Sequence, residues 1–342
     1  MYKWAYYFKR IFTASYKEMY TAIGRVSQRS NRNKIIIFLD MVVASLRYGA
    51  GYTDYFLFHF ENLNHSQRKT YITRMVNNTY IKAMNDSRFY DVFWNKEKFN
   101  NHFNEFLKRD FLVLEEGKEE EFEEFVKKHP IFMAKMISST GGVGVEKVEV
   151  NKKTILTSLF KELIQKNQKL LEEYVVQHPV MNELCAKSVN TLRIVTGRKN
   201  GQTRVLMKVI RVGNGDFEVD NFHKGGMFTV FDEKGIITKP AVDREGIIYE
   251  KHPKTETKFA GFEIPYYKEA VSMCEKASEK VPEVGLLGWD IAITPNGPVM
   301  IEGNELPGYD LYQSKVHLDE NMHGLKPLFD NAIFERVEGN EI

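Results

Sequence analysis

The chain has 342 residues, 43% of them hydrophobic and 27% charged, with a formal net charge of only +2. This composition is typical of a folded globular protein, and the length predicts two or three structural lobes. Two cysteines, Cys185 and Cys274, exclude a disulfide framework and indicate a reducing cytoplasm, and no signal peptide is predicted.

The first 34 residues are basic and aromatic. Eight Lys and Arg oppose the single acid Glu18, and Trp4 and Phe8 are among the interleaved aromatics. Such a segment either meets an anionic membrane surface or polymer, or packs its aromatics on the body of the protein. We favour the second interpretation, because charge runs are usually solvated faces. The apolar run that follows, residues 35–46, is too short to span a bilayer and contains Asp40, so it is predicted to be core.

From about Asp40 to Phe111 the pattern is mostly helical, and a helix is predicted from Trp94 to about Lys108. The pattern then changes. FLVL at 111–114 predicts a strand, and KEEEFEEFVKK predicts a short helix with acids at its start and lysines at its end.

A glycine-rich connection follows. Strands are predicted at Ile131–Ile137 and Val145–Val150, flanking residues 138–144, which include Gly141, Gly142 and Gly144. Backbone N–H groups of such a loop can close over phosphate oxygens, and Lys135 on the incoming strand can reach the same phosphates. The sequence is not a P-loop, and the alternative is an ordinary turn.

Two further segments are predicted around a hinge. Residues 169–176 predict a strand whose backbone either pairs with an adenine edge or is an ordinary edge strand. The next segment is a hairpin with Asn200-Gly201 as a type I′ turn. Arg193 on its first strand is a candidate to face phosphate, because a buried Arg is costly unless it meets an anion. On the return strand, Lys208 and Ile210 share a face.

The most informative stretch runs from Gly285 to Gly308. Two apolar runs flank Pro295-Asn296-Gly297, which predicts a three-residue hairpin loop. That register places Asp290 opposite Glu302, with Asn304 two residues further on the same face. Two carboxylates and an amide oxygen suit Mg²⁺ or Mn²⁺. The alternative is a solvated acidic edge.

Taken together, these segments resemble the ATP-grasp superfamily over about Lys96 to Gly308. The combination EEYVVQHP, SVNTLRI, DNFHKGG and GWDIAI…IEGNELPG is most similar to the sugar-transfer-associated ATP-grasp group. GDFEVDNFHKGG also resembles the loop of the ribosomal-protein glutamate ligases. The resemblance implies an α+β fold in which two α+β lobes clasp ATP. It divides the chain into a mostly helical region (1–105), a small lobe (106–176) and a large lobe (177–342).

The resemblance also implies roles for individual residues. Nucleotide binding falls to Lys96, Lys135, Gly141, Gly142, Gly144, Glu173, Tyr174, Val175, Glu183 and Asp220. The catalytic positions are Arg193, Lys208 and Asn221, and the Mg²⁺ ligands are Asp290, Glu302 and Asn304, with Mn²⁺ as an alternative ion. Two positions depart from the family pattern. Asn190-Thr191 stands where an acid near the ribose is expected, which leaves Glu183 as the substitute, and Lys98 competes with Lys96 for the first lysine position.

The implied activity is an ATP-dependent carboxylate–amine ligase that forms an amide through an acyl phosphate, acting on a surface-polysaccharide or cell-envelope precursor. A kinase with a hydroxyl acceptor is the first alternative. A non-catalytic nucleotide-binding protein is the second, and the paired carboxylates argue against it. ATP, a carboxylate and an amine are the expected partners, and nucleic acid is not. The expected location is the cytoplasm, including the inner face of the membrane.

Overall fold

A computed structural model describes residues 15–139, 143–215, 225–311 and 313–334. The chain divides into two compact units, one formed by Met1–Tyr80 with Tyr309–Ile342 and the other by Ile81–Gly308. We call them the helical unit and the sheet unit.

The helices of the described residues are α1 (Tyr16–Ser30), α2 (Lys34–Tyr48), α3 (Tyr52–Leu57), α4 (His65–Arg68), α5 (Arg74–Met84), α6 (Asp91–Trp94), α7 (Lys96–His102), α8 (Asn104–Leu107), α9 (Glu119–Lys128), α10 (Leu156–Gln165), α11 (Pro179–Leu184), α12 (Tyr267–Glu279) and α13 (Lys326–Phe334). The strands are β1 (Phe111–Val113), β2 (Ile131–Lys135), β3 (Glu146–Glu149), β4 (Leu170–Glu173), β5 (Thr191–Lys199), β6 (Gln202–Val212), β7 (Met227–Val230), β8 (Ala241–Asp243), β9 (Ile248–Tyr249), β10 (Leu286–Thr294) and β11 (Gly297–Asn304).

Local signals define the ends of the helices in the helical unit. The Asn33 side chain accepts the Ile35 N–H at 2.8 Å and caps the start of α2. Gly49 ends that helix with φ +68°, a conformation that suits glycine. An aromatic core that includes the buried rings of Tyr55 and Phe60 lies beneath these helices.

The sheet unit contains two antiparallel sheets. The four-stranded sheet has the order β1-β4-β2-β3, and the seven-stranded sheet has the order β11-β10-β5-β6-β7-β8-β9. Helices α9 and α10 cover the small sheet through an apolar cluster that includes Phe122 and Phe160. On one face of the large sheet, Trp289 packs against Phe93 and Phe103. Asp290 and its polar neighbours described below lie on the other face.

Several predicted elements are confirmed with shorter bounds, and the β5–β6 hairpin has the predicted turn, since Asn200 and Gly201 both have positive φ (51° and 77°). The predicted helix from Trp94 to Lys108 is wrong as a single helix, because it is interrupted at Phe103 between α7 and α8. The prediction that residues 35–46 are core is also wrong for half of that helix. Only the side of α2 that carries Ile37 and Met41 is buried.

The predicted three-residue loop between β10 and β11 is wrong as well. Thr294 pairs with Gly297, so the loop has two residues, Pro295 and Asn296. Near the turn, each residue of β10 therefore pairs with the β11 residue one position earlier than predicted. A β-bulge compensates for this displacement, as described below.

Candidate active site

Three neighbouring strands bring the candidate metal ligands to one face of the large sheet. Asp290 on β10 pairs with Glu302 on β11 and, on its other side, with Arg193 on β5. Gly288 pairs with Asn304, which places that amide two residues along the same face. The predicted Asp290–Glu302 pairing is therefore confirmed, together with the neighbouring position of Asn304.

A bulge produces this pairing. Ile291 pairs with Met300, but the next residue of β10, Asp290, pairs with Glu302, so Ile301 is the extra residue. Met300 points to the apolar core, and the bulge turns Glu302 to the face of Asp290 instead of the face of Met300. The sequence prediction reached the correct pair because its loop was one residue too long and it lacked the bulge.

Two arginines hold Asp290. Arg193 donates from Nε to Oδ1 and from Nη2 to Oδ2, the latter at 2.9 Å, and Arg211 Nη1 donates to Oδ2 at 3.0 Å. Burial alone would raise the pKa of Asp290, but the two guanidinium groups more than offset burial and hold that pKa well below its usual range.

The neighbouring carboxyl of Glu302 behaves in the opposite way. Displaced water around Glu302 and the adjacent Asp290 carboxylate raise the pKa of Glu302. Glu302 nevertheless keeps accessible surface, whereas Asp290 is buried. A cation bound between these two carboxyl groups would relieve their mutual repulsion.

Two lysines lie on the small-sheet side of the unit, Lys96 on α7 and Lys135 on β2. Lys96, the first residue of α7, donates from Nζ to the Ser139 carbonyl and to the Ser139 hydroxyl at 2.5 and 3.1 Å. Loss of water and the charge of Lys135 lower the pKa of Lys96, while Glu302 acts in the opposite direction. Lys135 and Glu302 therefore both lie within electrostatic range of Lys96.

A buried carboxylate, Glu172, organises the small-sheet side. It accepts from Lys135 Nζ at 2.6 Å, from Arg109 Nη2 at 2.9 Å and from Asn100 Nδ2 at 2.8 Å. Burial would raise the pKa of Glu172, but the charges of Arg109 and Lys135 hold it well below its usual range. Arg109 also donates to the carbonyls of Met300 and Ile301, the residues at the bulge. One arginine thus ties the lysine-bearing sheet to the segment that presents Glu302.

Comparison with known protein families assigns the sequence to one of them. Sugar-transfer associated ATP-grasp sequences match residues 75–316, more than half of the chain. The chain belongs to the sugar-transfer associated ATP-grasp family. The α+β ATP-grasp fold predicted from the residues is confirmed, and no curated protein matches the sequence.

Several solved structures are similar to this ATP-grasp chain at low identity. D-alanine–D-alanine ligase from Helicobacter pylori is 13% identical, with a TM-score of 0.42 over 70% of this chain and 61% of its own. D-Ala:D-Ser ligase from Enterococcus faecalis is 13% identical, with a TM-score of 0.43 over 70% and 60%. N5-carboxyaminoimidazole ribonucleotide synthetase from Thermotoga maritima is 14% identical, with a TM-score of 0.37 over 63% and 42%. The chain spans less than two thirds of each of these proteins.

The donor set fits the Mg²⁺ that an ATP-grasp site implies. The side-chain nitrogen of Asn304 is buried and has no hydrogen-bond partner within the described part of the chain. Turning that amide over would place its oxygen in the same position, next to the paired carboxylates Asp290 and Glu302. Three hard oxygen donors suit Mg²⁺ or Mn²⁺.

A second group of possible ligands lies at the end of β4. Asp110, His129 and Glu173 have ligand atoms within 4.8 Å of one another, and His129 Nε2 is 2.8 Å from Asp110 Oδ2. The ammonium of Lys128 already contacts Asp110. A metal ion at this group would therefore meet the charge of Lys128.

The predicted nucleotide positions lie in three places. Glu173, Tyr174 and Val175 are half-buried at the end of β4, where Lys147 Nζ lies 4.8 Å from the Tyr174 ring centroid. Gly144, with φ +69°, is at the start of the segment leading to β3. Glu183 is exposed on α11, and no hydrogen bond found among the described residues joins it to Arg193 or Asp290. Four predicted residues lie outside the described part of the chain: Gly141, Gly142, Asp220 and Asn221.

The structure does not bring Lys208 to the acidic pair. The β5–β6 ladder contains a bulge: Thr196 pairs with Val205 and Val195 with Met207, so Leu206 is an extra residue. Lys208 therefore pairs with Ile194 instead of Arg193. Lys208 consequently points to the core face, where its Nζ lies 2.8 Å from Glu233. The same bulge brings Arg211 onto the face of Asp290.

Sequence reasoning missed Arg211, Arg109 and Glu172. Arg211, like Arg193, is an arginine within an apolar strand and could have been recognised in the same way. A regular register from the Asn200-Gly201 turn, however, places Arg211 on the face opposite Arg193. For Glu172, the signal is that neighbouring strand residues alternate in orientation, so only one of Glu172 and Glu173 can face inward.

Proposed function

We propose that the chain is an ATP-dependent carboxylate–amine ligase that forms an amide through an acyl-phosphate intermediate. One observation carries the proposal: Asp290 and Glu302 face each other beside two arginines, with Lys96 within electrostatic range of Glu302 and of Lys135. In a member of the ATP-grasp family, this concentration of oxygen donors and cations suits the terminal phosphates of ATP.

In this proposal the nucleotide lies along the edge of the small sheet. The backbone of Glu173–Val175 at the end of β4 holds the adenine, and Glu183 contacts the ribose. The glycine loop, from Gly141 to Gly144, covers the phosphates. Lys96 and Lys135 bind phosphate oxygens, and Lys135 is held in position by its contact with Glu172. Asp220 and Asn221 border the reaction centre.

The chemistry requires two anions to approach each other. Mg²⁺, held by Asp290, Glu302 and Asn304, would withdraw charge from the phosphate oxygens. Arg193 and Arg211 lie next to this site and neutralise charge on the transferring phosphoryl group. The substrate carboxylate oxygen attacks the γ-phosphorus and the bond to the ADP oxygen breaks. The amine nitrogen then attacks the acyl carbon, and inorganic phosphate leaves with the former carboxylate oxygen.

The proposed substrate is a precursor of a surface polysaccharide or of another component of the cell envelope. The family description, sugar-transfer associated, supports a sugar-linked acid or amine. We place the reaction in the cytoplasm, including the inner face of the membrane, since Cys185 and Cys274 are both free and buried.

An ADP-release screen over pairs of sugar acids, amino acids and amines tests the proposal. The ligase releases ADP and phosphate only when acid and amine are both present, and hydroxylamine traps the acyl phosphate as a hydroxamate. Glu302→Gln is expected to abolish turnover with its circular dichroism spectrum unchanged. A stable phosphorylated hydroxyl product would instead make the enzyme a kinase, and wild-type turnover by Glu302→Gln at saturating Mg²⁺ would remove the metal assignment.

A further inference from the structure

Helix α2 in the helical unit has two apolar faces. Its inner face carries Ile37, Met41 and Ala44, which are buried in the aromatic core of the unit. Asp40 also belongs to the inner half, because its carboxylate is bound by Arg68 at 2.7 Å. These contacts pack the inner half of the helix against the core of the helical unit.

The outer face is also apolar, but it is exposed. The helical periodicity places Ile35, Leu39 and Val42 in one row, with Ile36 and Val43 beside them and Phe38 at the other edge. Besides Leu46 near its end, six large apolar side chains of this helix are at least 40% exposed: Ile35, Ile36, Phe38, Leu39, Val42 and Val43. An apolar patch of this size is uncommon on a monomeric soluble protein and marks an interaction surface. We call these six residues the α2 patch.

Cations surround the α2 patch. Arg32 and Lys34 are exposed immediately before it and Arg47 immediately after it. Residues 1–48 contain nine Lys and Arg and two acids, whereas the remaining residues contain 39 Lys and Arg and 44 acids. Of those two acids, Asp40 is paired with Arg68 and Glu18 accepts from the Tyr52 hydroxyl. The first 48 residues therefore carry a formal charge of +7, whereas the remainder of the chain carries −5.

We propose that the α2 patch docks on an anionic lipid surface. The helix lies in the plane of the interface, with the patch in the outer acyl region and the flanking Arg32, Lys34 and Arg47 against lipid phosphates. A 15-residue helix is about 22 Å long, shorter than the roughly 30 Å of hydrocarbon in a bilayer. Among the described residues, no helix is long and apolar enough to cross a membrane.

Charge argues against a second copy of the chain as the occupant. A two-fold symmetric dimer through α2 would bring the same basic rim of both copies together. Like charges opposed across an interface disfavour association, whereas anionic headgroups complement them. This inference rests on the helical unit and does not depend on the proposed ligase activity.

Vesicle flotation of the full chain tests the proposal. Wild-type protein is expected to float with vesicles of 70% phosphatidylcholine and 30% phosphatidylglycerol. Without anionic lipid, binding should weaken by about two orders of magnitude, since each basic residue near an anionic surface contributes on the order of fivefold. The double variant Leu39→Glu/Val43→Glu should bind the anionic vesicles at least about tenfold more weakly, because it removes the apolar contribution.

A charge-matched control separates burial of the patch from simple repulsion. Leu328→Glu/Ile155→Glu adds the same two acids at positions that are 49% and 67% exposed outside α2. It should float almost like wild type. A second variant, Arg32→Gln/Lys34→Gln/Arg47→Gln, should lose the preference for phosphatidylglycerol without changing the melting temperature, which also controls for misfolding.

Three results would overturn the proposal. The first is a wild-type chain that stays with the unbound fraction at low salt. The second is equal flotation of Leu39→Glu/Val43→Glu and its charge-matched control. The third is a wild-type dimer in light scattering that Leu39→Glu/Val43→Glu converts to monomer without any vesicle binding, which would assign the patch to self-association.

Discussion

Arg109 is expected to be among the most important residues for the stability of the sheet unit. Its guanidinium donates to Glu172 Oε2 from Nε at 3.2 Å and from Nη2 at 2.9 Å, and it donates to two carbonyls of β11. Both side chains are almost fully buried, with 3% and 4% of their surfaces exposed. Arg109→Met removes four hydrogen bonds and leaves a buried carboxylate with one cation fewer.

The structure sets the expected size of the loss. Removing one partner of a buried ion pair costs about 3–5 kcal/mol. Lys135 and Asn100 still contact Glu172 in the variant, at 2.6 and 2.8 Å, so we expect the lower end of that range, about 3 kcal/mol. For a unit of this size the melting temperature should fall by roughly 6–12 °C.

Urea denaturation of Arg109→Met and calorimetry measure this loss directly. Arg88→Met is the matched control, because Arg88 pairs with Asp86 but its side chain is 82% exposed, and it should cost less than about 1 kcal/mol. In a double-mutant cycle with Glu172→Gln, the two losses should be non-additive by at least about 1 kcal/mol. A loss for Arg109→Met no larger than that of the control, or strictly additive losses, would refute the reasoning.

Three further outcomes are expected. Arg211→Gln should lower kcat for ADP release by about 10²-fold or more with a much smaller change in KM for ATP, and an effect confined to KM would make Arg211 only a binding residue. Gly303→Ala should cost about 1–3 kcal/mol in denaturant titrations, because the new Cβ would lie 2.9 Å from a ring carbon of Phe99, whereas Gly24→Ala meets no atom within 4 Å and should be neutral or stabilising. Burial would raise the pKa of Asp40, but hydrogen bonds from Arg68 and Tyr55 lower that pKa in the folded chain. The ionised carboxylate therefore stabilises the fold at pH values above its unfolded pKa, and this contribution disappears as the pH falls through the folded pKa. The difference in melting temperature between wild type and Asp40→Asn should therefore be full at pH 6 and shrink below pH 3.8, and a difference that is constant with pH would contradict the assignment.

Local patterns predicted eight strands of the sheet unit and the Asn200-Gly201 turn, but they missed β7, β8, β9 and the two-residue loop of β10–β11. Bulges then decided which side chains share a face. Alternation and the Asn200-Gly201 turn define the β5–β6 hairpin, and a regular register from that turn points Lys208 at Arg193. The extra residue Leu206 turns Lys208 to the core and brings in Arg211. Nothing in the apolar run around Leu206 indicates where the bulge lies, since apolar neighbours are compatible with either face.

Long-range partners were equally hidden from the sequence. Arg109 and Glu172 are 63 positions apart, and only the assembled sheet unit shows that they meet. Helix α2 illustrates a different limit. Its composition predicts apolar surroundings on every side, but composition cannot distinguish a protein core from another apolar partner. The structure assigns Ile37 to the core and leaves Leu39 exposed.

The central claim is that a divalent cation binds between Asp290 and Glu302 and holds the terminal phosphates of ATP. Anomalous scattering from crystals grown with Mn²⁺ and a non-hydrolysable ATP analogue tests it most directly. We expect a manganese peak within about 2.3 Å of carboxylate oxygens of both residues and of a phosphate oxygen of the analogue. A nucleotide bound elsewhere, or a peak remote from both carboxylates, would contradict the claim.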